Sequence, residues 1–114
     1  MDLAGTAGVY ARNALWRATG SPAAGRALVR ALASEDATVR TIAAMFLARA
    51  GKQAEPLLRE RLSKRENLPL VLTILGDIGD PTLEPELRQF SRDGDPRVAR
   101  AAQDALRVIA ARSQ

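Results

Sequence analysis

The chain has 114 residues, a net charge of +4 and a pI near 10.6, with 46% apolar residues but only 4% aromatics. A chain of this length buries about 65% of its unfolded surface and can close one core without cross-links. It contains neither cysteine nor histidine, which excludes disulfides, thiolate nucleophiles, histidine general bases and the usual zinc ligand sets.

Met1-Asp2-Leu3 offers neither a basic n-region nor an apolar h-region, so no signal peptide is expected. A first helix is predicted over about Val9 to Thr19, ending at Gly20, where a residue free to take positive φ stops a helix. Ser21-Pro22 then places a capping hydroxyl before a proline that has no N–H to lose. That starts a second helix over about Pro22 to Ser34. The third runs over about Ala37 to Ala50. Its apolar residues Val39, Ile42, Ala43, Phe46, Leu47 and Ala50 recur at the 3.6-residue period of one helix face. Gly51 stops it.

A fourth helix is predicted over about Gln53 to Lys64, with Pro56 in its first turn, and a fifth over about Pro69 to Ile78, stopped by Gly79. The stretch Leu68 to Gly76 is the longest uncharged apolar run near the middle, and it is too short to span a bilayer. Asp80-Pro81 opens a sixth helix over about Thr82 to Arg92. Asp95-Pro96 opens a seventh over about Pro96 to Ala111, in which Val98, Ala101, Ala102, Ala105, Leu106 and Ile109 repeat the spacing of the third. With few aromatics and no β-branched runs, a sheet is not expected. Gly20, Gly51 and Gly79 stand 31 and 28 residues apart. A period near 30 residues in a helical chain indicates an array of helical hairpins.

Leu75-Gly-Asp-Ile-Gly-Asp-Pro81 resembles the inter-helix turn of HEAT-like repeats of the bilin-lyase type. Asp95-Pro-Arg-Val-Ala-Arg-Ala-Ala102, ending at Leu106, resembles the start of the following repeat. The resemblance is strong from Asp36 to Ala110 and weaker before Ser34. Ser21-Pro22 and Gly51-Lys-Gln depart from the Gly-Asp-Pro turn. The resemblance implies an all-α fold, an α-solenoid of about 3.5 antiparallel hairpins in a right-handed superhelix. Its repeats would cover about residues 8–35, 36–66 and 67–94, with a half repeat at 95–114, in a single domain. The last helix has no hairpin partner and neither end has a clearly polar cap, so self-association through the ends is one expectation.

Chemistry rests on what remains. Paired carboxylates are the only acid/base option: Asp77 and Asp80 flank one tight turn, and Asp93 and Asp95 another. Asp80 and Asp95 precede prolines and already have work as caps. No serine has a histidine to activate it. Trp16 aligns with Leu47 and Leu75 when the repeats are registered on their glycines, which makes it a core residue. Phe46 and Phe90 also read as core, and the Tyr10 hydroxyl is expected at the surface. The expectation is a non-enzyme without cofactor or metal.

The bases are 17 in number, all arginine except Lys52 and Lys64. A GC-rich genome raises Ala and Arg together, and a bacterial source would account for much of that excess. Five arginines nevertheless share a pattern. With Leu28, Leu58 and Leu87 as the core residues of the second, fourth and sixth helices, Arg26, Arg30, Arg59, Arg88 and Arg92 turn away from the core at about 100° per residue. Glu60 is the carboxylate expected in the same sector. Arg26/Arg30 and Arg88/Arg92 are like-charge pairs at i, i+4, each unfavourable by about 0.2–0.5 kcal/mol. Second helices line the concave surface in HEAT-like proteins, so the resemblance implies a basic concave stripe. The leading expectation is a cytoplasmic protein–protein scaffold that takes an acidic surface or tail on these arginines. The alternative is nucleic-acid backbone binding in the same groove, and a minor one is an accessory subunit or fragment of a lyase-like HEAT protein. Membrane association is not expected.

Overall fold

A computed structural model describes residues 5–113; the reading of Met1-Asp2-Leu3 as a non-leader lies outside them. The described residues are all helical, with no strand among them. Seven α-helices follow in order: α1 Thr6–Thr19, α2 Pro22–Ala31, α3 Ala37–Ala50, α4 Glu55–Lys64, α5 Leu68–Ile78, α6 Glu84–Phe90 and α7 Pro96–Arg112. Single 3-10 turns at Gly51–Gln53 and Pro81–Leu83 precede α4 and α6. Backbone contacts divide the chain into two compact units after Leu57, within α4. No helix among the described residues is long and apolar enough to cross a membrane.

The punctuation explains the boundaries. Ser21 Oγ accepts from the Ala24 amide, Asp36 from Thr38 and Asp95 from Arg97, which satisfies first-turn donors of α2, α3 and α7. Asp80 accepts from the Thr82 amide, but it caps the 3-10 turn, and α6 starts three residues later than that turn. Gly20 and Gly79 end α1 and α5 in the left-handed region, at φ 72° and 78°. Pro56 and Pro85 lie in the first turns of α4 and α6, as their sequence position requires. Two C-terminal boundaries move inward. The second helix ends at Ala31 rather than Ser34, and the sixth at Phe90 rather than Arg92. In both cases i to i+3 bonds tighten the exit: Leu32, Ala33 and Ser34 donate to Val29, Arg30 and Ala31, and Arg92 donates to Gln89.

In the N-terminal unit α1, α2 and α3 pack on one another. Val9, Trp16, Ala24, Leu28, Val29, Leu32, Val39, Ala43, Leu47 and Ala54 are buried. The indole of Trp16 lies against Gly25: a Cβ added there would stand 2.8 Å from Trp16 Nε1 and 2.8 Å from Leu57 Cδ1. Gln53 Nε2 donates to the Trp16 carbonyl at 3.2 Å, which ties the end of α1 to the 3-10 turn. Along α3 the buried residues are Val39, Ala43 and Leu47, while Ile42, Phe46 and Ala50 are half-buried. The apolar stripe is therefore wider than the contact it seals. Phe46 and Phe90 are not core residues; both are half-buried. Phe46 instead takes the ring of Tyr10 edge-on, with centroids 5.0 Å apart at 85°.

In the C-terminal unit α7 packs against α5 and α6, burying Leu62, Leu68, Val71, Leu72, Ile74, Leu75, Leu83, Leu87, Val98, Ala102, Ala105 and Ile109. The α5–α7 seam is close. A Cβ on Gly76 would sit 2.7 Å from Ala105 Cα and 2.8 Å from its Cβ, so hydrogen is the only side chain that allows this approach. Between α4 and α5 the backbone takes positive φ at Arg65 (55°) and Asn67 (52°). Arg65 Nη2 bonds Asp93 Oδ1 at 2.9 Å.

Candidate basic face

All five arginines singled out in the sequence are exposed, and Leu28, Leu58 and Leu87 beneath them are fully buried. The helical-wheel reading thus holds for the side chains carried by α2, α4 and α6. It does not apply to Arg92, which lies past the end of α6 in the turn that follows. The two units then differ in what surrounds these guanidiniums.

In the C-terminal unit Arg59 and Arg88 are neutralised, while Arg92 has no ion-pair or side-chain hydrogen-bond partner among the described residues. Arg59 Nε lies 3.3 Å from Glu86 Oε2, and Arg88 Nη2 lies 3.3 Å from Glu84 Oε2. Glu60, expected as the carboxylate of that sector, pairs with Lys64 at 3.1 Å. Glu84 follows the i, i+4 rule and is legible in the sequence. Glu86 reaches Arg59 from another helix, and no local pattern announces it. Both pairs are largely exposed, so each contributes under about 1 kcal/mol. Their effect is on potential rather than stability, since a carboxylate beside each arginine competes with any anionic ligand.

In the N-terminal unit the picture is reversed. Arg26 and Arg30 lie one turn apart on α2, and neither has an ion-pair or hydrogen-bond partner among the described residues. Arg30 stands in the last turn of α2, where the helix dipole favours a cation. It also lines an open cleft of about 310 Å³. The cleft wall combines Arg30 and Arg12 with the apolar Val9, Ala27, Leu28 and Ala31, and Ser34 lies at its edge. Arginine heads above a small apolar floor suit a carboxylate-bearing side chain, since a guanidinium donates two parallel bonds to it. Nothing in the sequence pattern announced Arg12 or Val9 here, because the cleft depends on how α1 meets α2.

Of the paired carboxylates, Asp80 and Asp95 act as caps, and Asp93 closes the turn before Asp95. Asp93 Oδ2 accepts the Asp95 amide at 3.0 Å and Asp95 Oδ1 accepts the Arg97 amide at 2.9 Å. These backbone bonds, helped by the Arg65 guanidinium at Asp93 and by Arg97 at Asp95, hold both carboxyls below their ordinary range. No group of three metal-ligating side chains occurs among the described residues. The chain matches no family model, no curated protein and no solved structure.

Proposed function

We propose that this chain is a non-catalytic cytoplasmic scaffold, built of HEAT-like hairpins in a right-handed α-solenoid, that holds an acidic protein segment on Arg26, Arg30, Arg59, Arg88 and Arg92. The observation that carries the reading is the uncompensated Arg26/Arg30 pair on the exposed face of α2, with Arg30 on the wall of an open cleft. A surface selected for stability alone would set a glutamate one turn before Arg30, since a Glu–Arg pair at that spacing helps a helix and an Arg–Arg pair opposes it. An acidic segment supplies the missing charge from outside. Arg59 and Arg88 join the face only by exchanging Glu86 and Glu84 for the partner's carboxylates, which makes them secondary contributors.

The test is binding of a fluorescein-labelled glutamate-rich peptide, followed by anisotropy at low salt. The Arg26→Glu/Arg30→Glu double variant should bind about tenfold more weakly or worse, because charge reversal converts attraction to repulsion. Arg59→Glu/Arg88→Glu should lose less. Unchanged affinity in both double variants overturns the proposal. A DNA duplex that binds more tightly than the peptide, with affinity falling linearly in log salt, moves the assignment to the phosphate backbone instead.

A further inference from the structure

The other face of the N-terminal unit, formed by α1 and α3, carries a second constellation that owes nothing to α2. Tyr10, Asn13 and Arg17 stand at i, i+3 and i+7 along α1, and Ile42, Phe46 and Arg49 at i, i+4 and i+7 along α3. Residues at these spacings share a helix face. The two rows meet at an open cleft of about 250 Å³ lined by Asn13, Arg17, Phe46 and Arg49. One end is aromatic: Tyr10 is 52% exposed and packs edge-on against the half-buried Phe46. The other end is cationic. Arg17 and Arg49 each occupy the last turn of their helix, and both are exposed. Neither has an ion-pair or hydrogen-bond partner among the described residues. Between the ends, Asn13 Oδ1 is covered from solvent and accepts no hydrogen bond.

We propose that this cleft binds the C-terminal residue of a partner polypeptide, one with an apolar side chain and a free carboxylate. The helix dipoles account for tolerating two arginines at these positions. They do not account for a wet aromatic wall beside them or for an amide oxygen with no donor. A chain terminus answers all three features at once. Its carboxylate takes the paired guanidiniums, whose planar donors match it. Its side chain covers Phe46 and Tyr10, and the cleft volume suits one such group. Its last peptide N–H meets Asn13 Oδ1 once that amide turns toward the cleft. A phosphate backbone answers only the charge.

The test uses a fluorescein-labelled hexapeptide ending in leucine with a free carboxylate, its C-terminal amide twin, and a 5′-phosphorylated dinucleotide as competitor. The free acid should bind at least about tenfold more tightly than the amide. Arg17→Gln and Arg49→Gln, both at exposed positions, should each lower affinity several-fold with an unchanged far-UV circular dichroism spectrum. Arg100→Gln, an exposed substitution on α7, should leave affinity unaltered. Equal binding of acid and amide overturns the proposal, as does full affinity in both arginine variants. Preferential displacement by the dinucleotide overturns it in favour of nucleic acid.

Discussion

Residues 5–57 hold seven bases and three acids, whereas residues 58–113 hold ten bases and nine acids. The C-terminal unit spends its acids on its own arginines. Arg59 pairs with Glu86, Arg61 with Glu66, Arg65 with Asp93, Arg88 with Glu84 and Arg107 with Asp104. The N-terminal unit leaves Arg17, Arg26, Arg30 and Arg49 without side-chain partners among the described residues, against Arg92 and Arg100 in the C-terminal unit. Two stretches of similar helical build therefore present different fields. One is internally balanced, and the other holds net positive charge beside clefts on two of its faces. An arginine-rich composition would load both halves alike; it does not explain why only one half supplies the counter-charges.

The largest effect should come from glycine. Both units use a helical glycine for close approach, but against different neighbours. At Gly76 an added Cβ meets the backbone of Ala105, while at Gly25 it meets the tip of Leu57 and the edge of Trp16. Gly76→Val should lower stability by about 3 kcal/mol, the upper end for forcing extra volume into a packed seam. Gly25→Ala should cost less, about 1 kcal/mol, because the helix propensity regained on replacing glycine offsets part of the shift that the Leu57 tip and the buried Trp16 indole must make. Urea denaturation midpoints check both; a Gly25→Ala loss equal to that of Gly76→Ala would end the contrast.

The pH response should belong to the C-terminal unit. Asp93 and Asp95 titrate below their unfolded range, so their stabilisation is complete above that range. It is lost as pH falls through the lowered folded values. Acid titration from pH 5 downward should weaken the protein, and an Asp93→Asn/Asp95→Asn variant should show a flatter profile. An identical slope in wild type and variant contradicts this origin.

The smallest effects should have opposite signs. Arg26→Glu replaces a like-charge pair with a Glu–Arg pair at i, i+4 and should stabilise by about 0.3–0.5 kcal/mol. Arg107→Glu loses the bond to Asp104 and creates a like-charge pair at i, i+3, so it should destabilise by a similar amount. Thermal midpoints of the two variants moving in the same direction would show that local charge does not distinguish the units.

What was legible in the sequence is what depends on neighbours along the chain. The Ser21, Asp95 and glycine punctuation, the Val39–Leu47 and Val98–Ile109 stripes and the burial of Trp16 all follow from local rules. The two 3-10 turns were not legible. Asp80-Pro81 starts a 3-10 turn as readily as an α-helix, and Gly51 at φ 61°, ψ −128° enters such a turn without entering the left-handed helical region. Phe46 was misplaced because a six-position stripe counts apolar residues without asking how many its neighbours can cover. The exposed state of the five arginines was legible, but their neutralisation was only half so. Glu84 stands four residues from Arg88, while Glu86 meets Arg59 only once α4 and α6 are in place. Both clefts were invisible for the same reason, since each needs residues from two helices.

The Gly76–Ala105 seam has a consequence in entropy. Glycine has no side-chain torsion and alanine only a methyl rotor, so bringing α5 onto α7 at this point freezes no rotamers. A leucine-filled contact would surrender side-chain freedom on forming, and this one surrenders none. It should therefore lose little of its net stabilisation on warming, compared with contacts whose cost is paid in side-chain disorder. The amides flanking Gly76 and Ala105 should be among the last in the C-terminal unit to exchange with solvent as temperature rises.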